Sequence, residues 1–171
     1  MNFANTKLLL SGICSILCVI AFAAADISGR LRRLEDDIKD LDKKIAKAQT
    51  DSRKALTLQH QREKLALEMV HSAQLELLNA PVKADGRSRK LELLLKNEAE
   101  ILEKSLNKNN SFPGLKYLTN TTGMLQDIRS GKLQFSGKIS KSDSTLLREV
   151  QKKQREALTE QHKEQSRSFR K

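Results

Sequence analysis

Histidine side chains are the first groups in this 171-residue chain to consider as metal ligands. The three histidines are His60, His71 and His162. His60 and His71 fall on one face of a predicted helix, but eleven residues separate them by roughly 16 Å along a helix axis. Ligands of one metal ion all lie within about 2.3 Å of that ion. We therefore expect no metal site from this pair.

Carboxylates form a second candidate group, in a cluster of four aspartates. The aspartates and the lysines among them are Asp36, Asp37, Asp40, Asp42, Lys39, Lys43 and Lys44. Pairs such as Asp40–Lys44 have the i,i+4 spacing at which opposite charges stabilise a helix. The cluster therefore predicts a solvated ion-pair surface rather than a cation site.

Other signatures of catalysis are absent from the sequence. There is no Gly-rich phosphate loop, no His-Glu-x-x-His sequence and no nucleophile elbow. Residues 26–171 contain no cysteine, which excludes a thiol nucleophile, a cysteine metal site and a disulfide scaffold there. We therefore expect no catalytic residue, no metal and no cofactor, and a protein that is not an enzyme.

The element that precedes these residues is an uncharged run over residues 8–25. Ala23 and Ala25 form an A-x-A cleavage pattern before Asp26, which favours a secretory signal peptide. Eighteen residues also span roughly 27 Å as a helix, close to a bilayer core, which favours an uncleaved signal anchor. The sequence predicts an exported protein, in the periplasm or secretory pathway, or a single-pass membrane protein. If the run is an anchor, the three arginines over 30–33 place the C-terminal side of the run in the cytoplasm. This conflicts with ordinary export of the C-terminal part.

A heptad pattern follows directly behind the run. Its apolar residues recur in steps of four and three: Ile27, Leu31, Leu34, Ile38, Leu41, Ile45 and Ala48. A stripe this narrow is typical of a coiled coil. It predicts a coiled-coil segment over 26–55 and a homo-oligomer that forms through the 27–48 seam. The alternative is that the same chain fills this seam.

Leucines on a wider arc continue from Leu56 to Leu78 and predict a helical hairpin over 56–108. Pro81 and the Asp85-Gly86 pair indicate a turn, and Ser88 can cap a second helix that begins near Arg89. The second helix is long enough to cover only the distal part of the first. This leaves the 27–48 seam for another chain or for the C-terminal helix.

Residues 109–141 are irregular and rich in glycine and aromatic residues. Phe112, Tyr117 and Phe135 are candidate docking residues, because exposed aromatic side chains often mediate contacts. The alternative is that this segment folds back on the helices. Residues 132–136 alternate like a short strand.

Residues 142–171 predict a basic amphipathic helix and tail, capped by Asp143 or Ser144. The apolar stripe of this helix is weak, because Gln154 and Gln161 interrupt it. We expect the polar end from His162 to fray.

The predicted fold class is all-α. Its parts are an N-terminal signal or anchor helix over 1–25, a long coiled-coil helix with a helical hairpin, a short irregular segment and a C-terminal polar helix. Charged residues make up 31% of the chain and aromatic residues 4%, as in long helices rather than a globule with an aromatic core.

These features predict a non-enzymatic, exported or membrane-tethered scaffold that binds protein partners through helix–helix contacts. A secreted holdase chaperone is one alternative. Binding of anionic lipid or nucleic acid is another, because the net charge of +11 is concentrated in the second half of the chain. The export signal disfavours nucleic acid.

Overall fold

The computed structural model describes residues 29–48, 50–79, 86–106 and 117–169. Regular structure in these ranges is helical and includes no strand, which confirms the all-α prediction. The helices are α1 over 29–47, α2 over Ser52–Asn79, α3 over Gly86–Leu106, α4 over Thr121–Arg129 and α5 over Asp143–Ser168. None of the helices described has the length and apolar content needed to cross a membrane. The 8–25 run and Ile27 lie outside the described residues.

The long first helix expected from the sequence is in fact two helices. The chain reverses over 48–51, where the Asp51 amide donates to the Ala48 carbonyl at 3.0 Å. The Asp51 side chain then accepts from the amide of Lys54 at 3.0 Å, which caps the start of α2. Because this cap starts a new helix, α1 folds back along α2 instead of extending it.

The central helix of the bundle is α2, against which α1, α3 and α5 each pack antiparallel. Ion pairs joining Arg30 to Glu68 and Asp42 to Arg62 fix the direction of α1. The Arg62–Glu98 pair, together with the short connection from Asn79 to Gly86, fixes the direction of α3. Apolar residues from all four helices form one core. Its main members are Leu31, Leu34, Ile38, Ala66, Leu67, Met69, Val70, Ala73, Leu91, Leu95, Ala99, Leu102 and Leu158.

This packing places the predicted coiled-coil seam inside the chain. Leu31, Leu34 and Ile38 are buried in the core, Leu41 is also buried and Ile45 is half-buried. The alternative that one chain fills its own seam accounts for this burial. The other main members of this core come from α2, α3 and α5, so the C-terminal helix that the sequence allowed as a partner shares the core with the seam.

Helix α3 begins at Gly86, three residues before the expected start, and packs along α2. Residues 80–85, where the turn was predicted, lie outside the described residues. Ile101 falls on the apolar face expected from the sequence, yet 43% of it is exposed, and 59% of Leu93 is exposed. The buried face of α3 is therefore narrower than its leucine content suggests.

Helix α4 packs against the first half of α5 and builds a second apolar cluster. Asn120 caps α4 by accepting from the Gly123 amide, and Gly131 ends it with a left-handed φ of +75°. The predicted strand over 132–136 is wrong, because no neighbouring strand exists among the described residues. Instead, Leu133 and Phe135 pack on the cluster.

Helix α5 continues in regular form to Ser168, so the expected fraying from His162 is wrong. Gln161 and His162 are both buried. The residue before the helix is Ser142, whose side chain makes no capping hydrogen bond, while Asp143 lies in the first turn and pairs with Arg129. The contacts that hold the end of α5 in place form the site described next.

Candidate functional site: the polar interface between α2 and α5

Polar side chains line the contact between α2 and α5, where a helix pair would ordinarily place leucines. We call this set the polar interface. It consists of His60, Glu63, His71 and Gln74 from α2 and Gln151, Gln154, His162 and Gln165 from α5. Residues of each helix recur at spacings that keep them on one side, and the two helices run antiparallel. All three histidines of the chain are therefore in one interface.

Glu63 and His162 form the most buried charged contact of the polar interface. Glu63 Oε2 lies 2.7 Å from His162 Nε2, and the two side chains are only 5% and 7% exposed. The second carboxylate oxygen, Oε1, accepts from Gln59 Nε2 at 3.1 Å. Nδ1 of His162 is buried and has no hydrogen-bond partner among the described residues. Glu63 is thus the group that orients this imidazole.

The ring of His60 stacks on the ring of His162. Their centroids are 3.9 Å apart and the two planes differ by 11°. His60 Nε2 lies 2.7 Å from Gln165 Oε1 on the last turns of α5. Burial lowers the pKa of His60, and the neighbouring His162 lowers it further, against the opposing effect of the Gln165 hydrogen bond. Burial in the stack therefore favours the uncharged form of His60.

His71 lies further along the interface and is also buried. Its Nε2 is 2.8 Å from Gln154 Oε1, and its Nδ1 is 3.3 Å from the Arg155 guanidinium. An amide oxygen can only accept, so His71 donates through Nε2. Burial lowers the pKa of His71 to about 4, and the Arg155 charge acts in the same direction. His71 is consequently a neutral ring at physiological pH.

Glutamines extend the network towards the segment before α4. Gln151 Nε2 donates to the His71 carbonyl at 3.0 Å and to Gln74 Oε1 at 3.2 Å. Gln74 Nε2 donates in turn to the Leu118 carbonyl at 3.0 Å. The network therefore joins α2, α5 and the chain segment that leads into α4.

The polar interface pairs side chains of one helix with side chains of the other. Its titratable side chains bind partners on the opposite helix, and no group of three possible metal ligands occurs in the described part of the chain. A concavity of about 370 Å³ lies beside the two stacked rings, and Lys64, Lys163 and Arg167 give it a basic rim. The arrangement can hold α5 in one register on α2, and protonation of His60 or His71, whose pKa values burial lowers, opposes that contact.

The predicted docking residues are largely turned inward. Tyr117 is half-buried and donates to Asp127, while Phe135 is half-buried against the second cluster. Phe112 lies outside the described residues. The alternative that this segment folds back on the helices agrees with the two residues described.

Sequence reasoning missed the polar interface, although a signal for it was present. The glutamines of α5 continue the stripe of Leu147 and Leu158 at helical spacing. His60, Glu63, His71 and Gln74 continue the stripe of Leu67 in the same way. Two polar stripes of equal length on different helices indicate that the helices pair with each other.

Comparisons with protein-family models, with curated proteins and with solved structures gave no match for this chain.

Proposed function

We propose that this protein is a non-enzymatic assembly protein that acts through helix–helix contacts with protein partners. It is exported or held at a membrane by the uncharged run over residues 8–25. The observation that carries the proposal is the pairing of buried polar groups across the polar interface. An active site directs such groups into a cavity that a substrate can enter. Here Glu63, His162 and His71 are directed at another helix.

The outer side of α3 offers a surface for a partner helix. Leu93 and Ile101 are among the large apolar side chains that remain exposed in the described residues. Both lie on a helix whose opposite side is already packed on α2. Burial of a leucine or isoleucine side chain contributes roughly 1.5 to 3 kcal/mol, so a partner that covers both gains substantially.

Association of copies through the 27–48 seam takes a specific form in this proposal. Leu31, Leu34 and Ile38 are already buried in the core of their own chain, so α1 of one copy must replace α1 of another. The four-residue reversal over 48–51 is the hinge for such an exchange, and exchange of an identical element is a common route to dimers. The contacts in the exchanged dimer are those of the single chain.

Native mass spectrometry of the full chain, released from detergent micelles, tests the proposal. We expect masses above the 19.3 kDa of one chain, from copies or from partners purified with it. The double substitution Leu93→Lys and Ile101→Lys should reduce the assembly formed through α3 without changing the helical content, because both residues are exposed. A matched control is Glu92→Gln and Glu100→Gln, which changes the net charge by the same +2 at exposed positions of the same helix. A protein that stays at 19.3 kDa at every concentration, with no partner bound in native material, contradicts the proposal.

A further inference from the structure

We propose that the loop over residues 130–142, here called the basic loop, binds the surface of an anionic lipid membrane. The inference rests on the proposed function, since it takes a membrane as the place where the protein works. It specifies which face of the bundle meets the lipid and which kinds of side chain make the contact.

Charge is the first property that distinguishes the basic loop. Residues 128–142 contain no aspartate or glutamate. Lys132, Lys138 and Lys141 are all exposed, and none has an ion-pair partner among the residues that the structure describes. Elsewhere in the bundle, acidic residues are interspersed with the lysines, as in α1 and α5. The basic loop is therefore a locally unbalanced positive surface.

An exposed apolar residue lies between these lysines. Ile139 is 55% exposed and follows Lys138 directly. Lysines that flank an apolar side chain suit the membrane interface, where the apolar group enters the acyl boundary and the ammonium groups stay with the headgroups. A single apolar side chain between lysines matches this order of depth, whereas a protein–protein interface ordinarily buries a larger apolar core.

The fold holds the basic loop in a defined position. The Arg129 guanidinium donates to the Lys141 carbonyl at 3.0 Å and to the Asp143 carboxylate at 2.7 Å, which ties the two ends of the loop together. The ring of Phe135 lies so close to Gly137 that a side chain at Gly137 would collide with it. These contacts leave Ile139, Lys138 and Lys141 exposed at the outer edge of the loop.

The basic loop lies on the side of the bundle towards which the start of α1 points. We call the end of the bundle where α2 finishes and α5 begins the loop end. Because α1 runs antiparallel to α2, its first residue points towards the loop end. Arg32 and Arg33 are exposed in the first turns of α1. These two arginines thus add positive charge to the part of α1 that is nearest the loop end.

Phe169 provides a matched reference site at the opposite end of the bundle. It is 54% exposed, nearly the same as Ile139. It follows α5 beside the start of α2, where Gln165 contacts His60. The distance from His60 to Leu78 along α2 is about 27 Å, so the two sites cannot touch one flat surface through end-on binding.

The experiment uses single tryptophans, because the chain has none of its own. Full-length Ile139→Trp and Phe169→Trp are reconstituted with vesicles of phosphatidylcholine, or of phosphatidylcholine with phosphatidylglycerol, each made with brominated acyl chains. Bromine quenches only a tryptophan at the acyl boundary. We expect blue-shifted, quenched emission from Ile139→Trp in the anionic vesicles and unchanged emission from Phe169→Trp. The circular dichroism of each variant checks that the bundle is intact.

The expected binding of the loop depends on the positive charge of its lysines. Each lysine at an anionic surface contributes about fivefold to binding. Adding Lys138→Gln and Lys141→Gln to Ile139→Trp should therefore weaken loop binding about 25-fold. Salt at about 1 M shortens the screening length to about 3 Å and should restore the emission of the unbound loop.

The remaining outcomes separate this inference from the proposed function. Quenching that is absent in anionic vesicles, equal in neutral vesicles or equal at Phe169→Trp overturns loop binding. Flotation with vesicles in high salt reports the membrane tether by itself. A chain that floats but shows no quenching at Ile139→Trp keeps the tether and loses the loop. A chain that floats only on anionic vesicles in low salt, with quenching, keeps the loop and loses the tether.

Discussion

Glu63 and His162 are separated by 99 residues in sequence, yet their side chains meet at 2.7 Å inside the bundle. The contact joins the first half of α2 to the last turns of α5. It explains why the polar end of α5 is ordered, because the helix must continue past His162 to bring Gln165 to His60. The stability of this region therefore depends on polar pairs, which gives the following predictions.

Removal of the Glu63 carboxylate should destabilise the protein strongly. Glu63→Ala leaves the buried His162 ring without its partner, and loss of one member of a buried polar pair costs about 3 kcal/mol. Urea unfolding followed by circular dichroism measures this loss. Glu63→Gln, which keeps an acceptor oxygen, should lose less. The exposed Glu160→Ala should change the free energy of unfolding by less than about 1 kcal/mol. Equal losses of unfolding free energy in Glu63→Ala and Glu160→Ala would show that the buried pair contributes no more to stability than an exposed carboxylate.

Acidification should destabilise the bundle through His71. An unfolded histidine has a pKa near 6.5, and burial lowers the pKa of folded His71 to about 4. Between these values the unfolded chain binds more protons, so stability is complete above pH 6.5 and is lost as the pH falls towards 4. The loss should reach about 2 kcal/mol by pH 5.

The control for this pH effect is His71→Gln, which can still donate to Gln154. Its free energy of unfolding should vary less between pH 7.5 and 5 than that of the wild type. His60, whose pKa burial also lowers, keeps a residual slope of the same sign in both proteins. Parallel pH profiles for the two proteins would exclude His71 as the titrating group.

The Gln154–His71 pair should show strong coupling between its members. Gln154→Leu leaves the His71 donor buried without an acceptor, at a cost of about 1 to 3 kcal/mol. The double substitution Gln154→Leu and His71→Leu removes both polar groups and should recover most of that loss. A double-mutant cycle from urea unfolding measures the coupling. Additive losses would mean that the two side chains act independently.

Asp51 should determine where α2 begins. Asp51→Ala removes the acceptor for the Lys54 amide and should lower the free energy of unfolding by about 1 kcal/mol. Asp37→Ala, at an exposed position within α1, should stay within about 0.5 kcal/mol of the wild type. Thermal unfolding of both variants makes the comparison. An unchanged Asp51→Ala would remove the capping explanation for the reversal.

The sequence predicted the helical content well and the helix partners poorly. Leucine spacing is local information, so it located α2 and α3. The reversal at 48–51 depends on one capping aspartate within a charged stretch, where an aspartate is also compatible with a continuous helix. The seam residues were recognised as buried, but their spacing does not state which helix buries them.

The candidate site was harder to predict because its meaning depends on two distant segments. Gln154 alone interrupts an apolar stripe, and His71 alone on a helix face suggests little. Each becomes interpretable once the other is known to lie opposite it. The strand expected over 132–136 failed for a related reason, since two alternating apolar residues do not form a strand without a neighbour to pair with.

The measurement that tests the central proposal most directly is the intact mass and membrane partition of the protein from its native cell. We predict one of two results: an intact chain that begins at Met1 and remains in the membrane fraction after alkaline extraction, or a mature chain that begins at Asp26 in the exported fraction. Either result agrees with a helical protein that works at or beyond a membrane. An intact chain beginning at Met1 in the soluble cytosolic fraction would contradict the proposal.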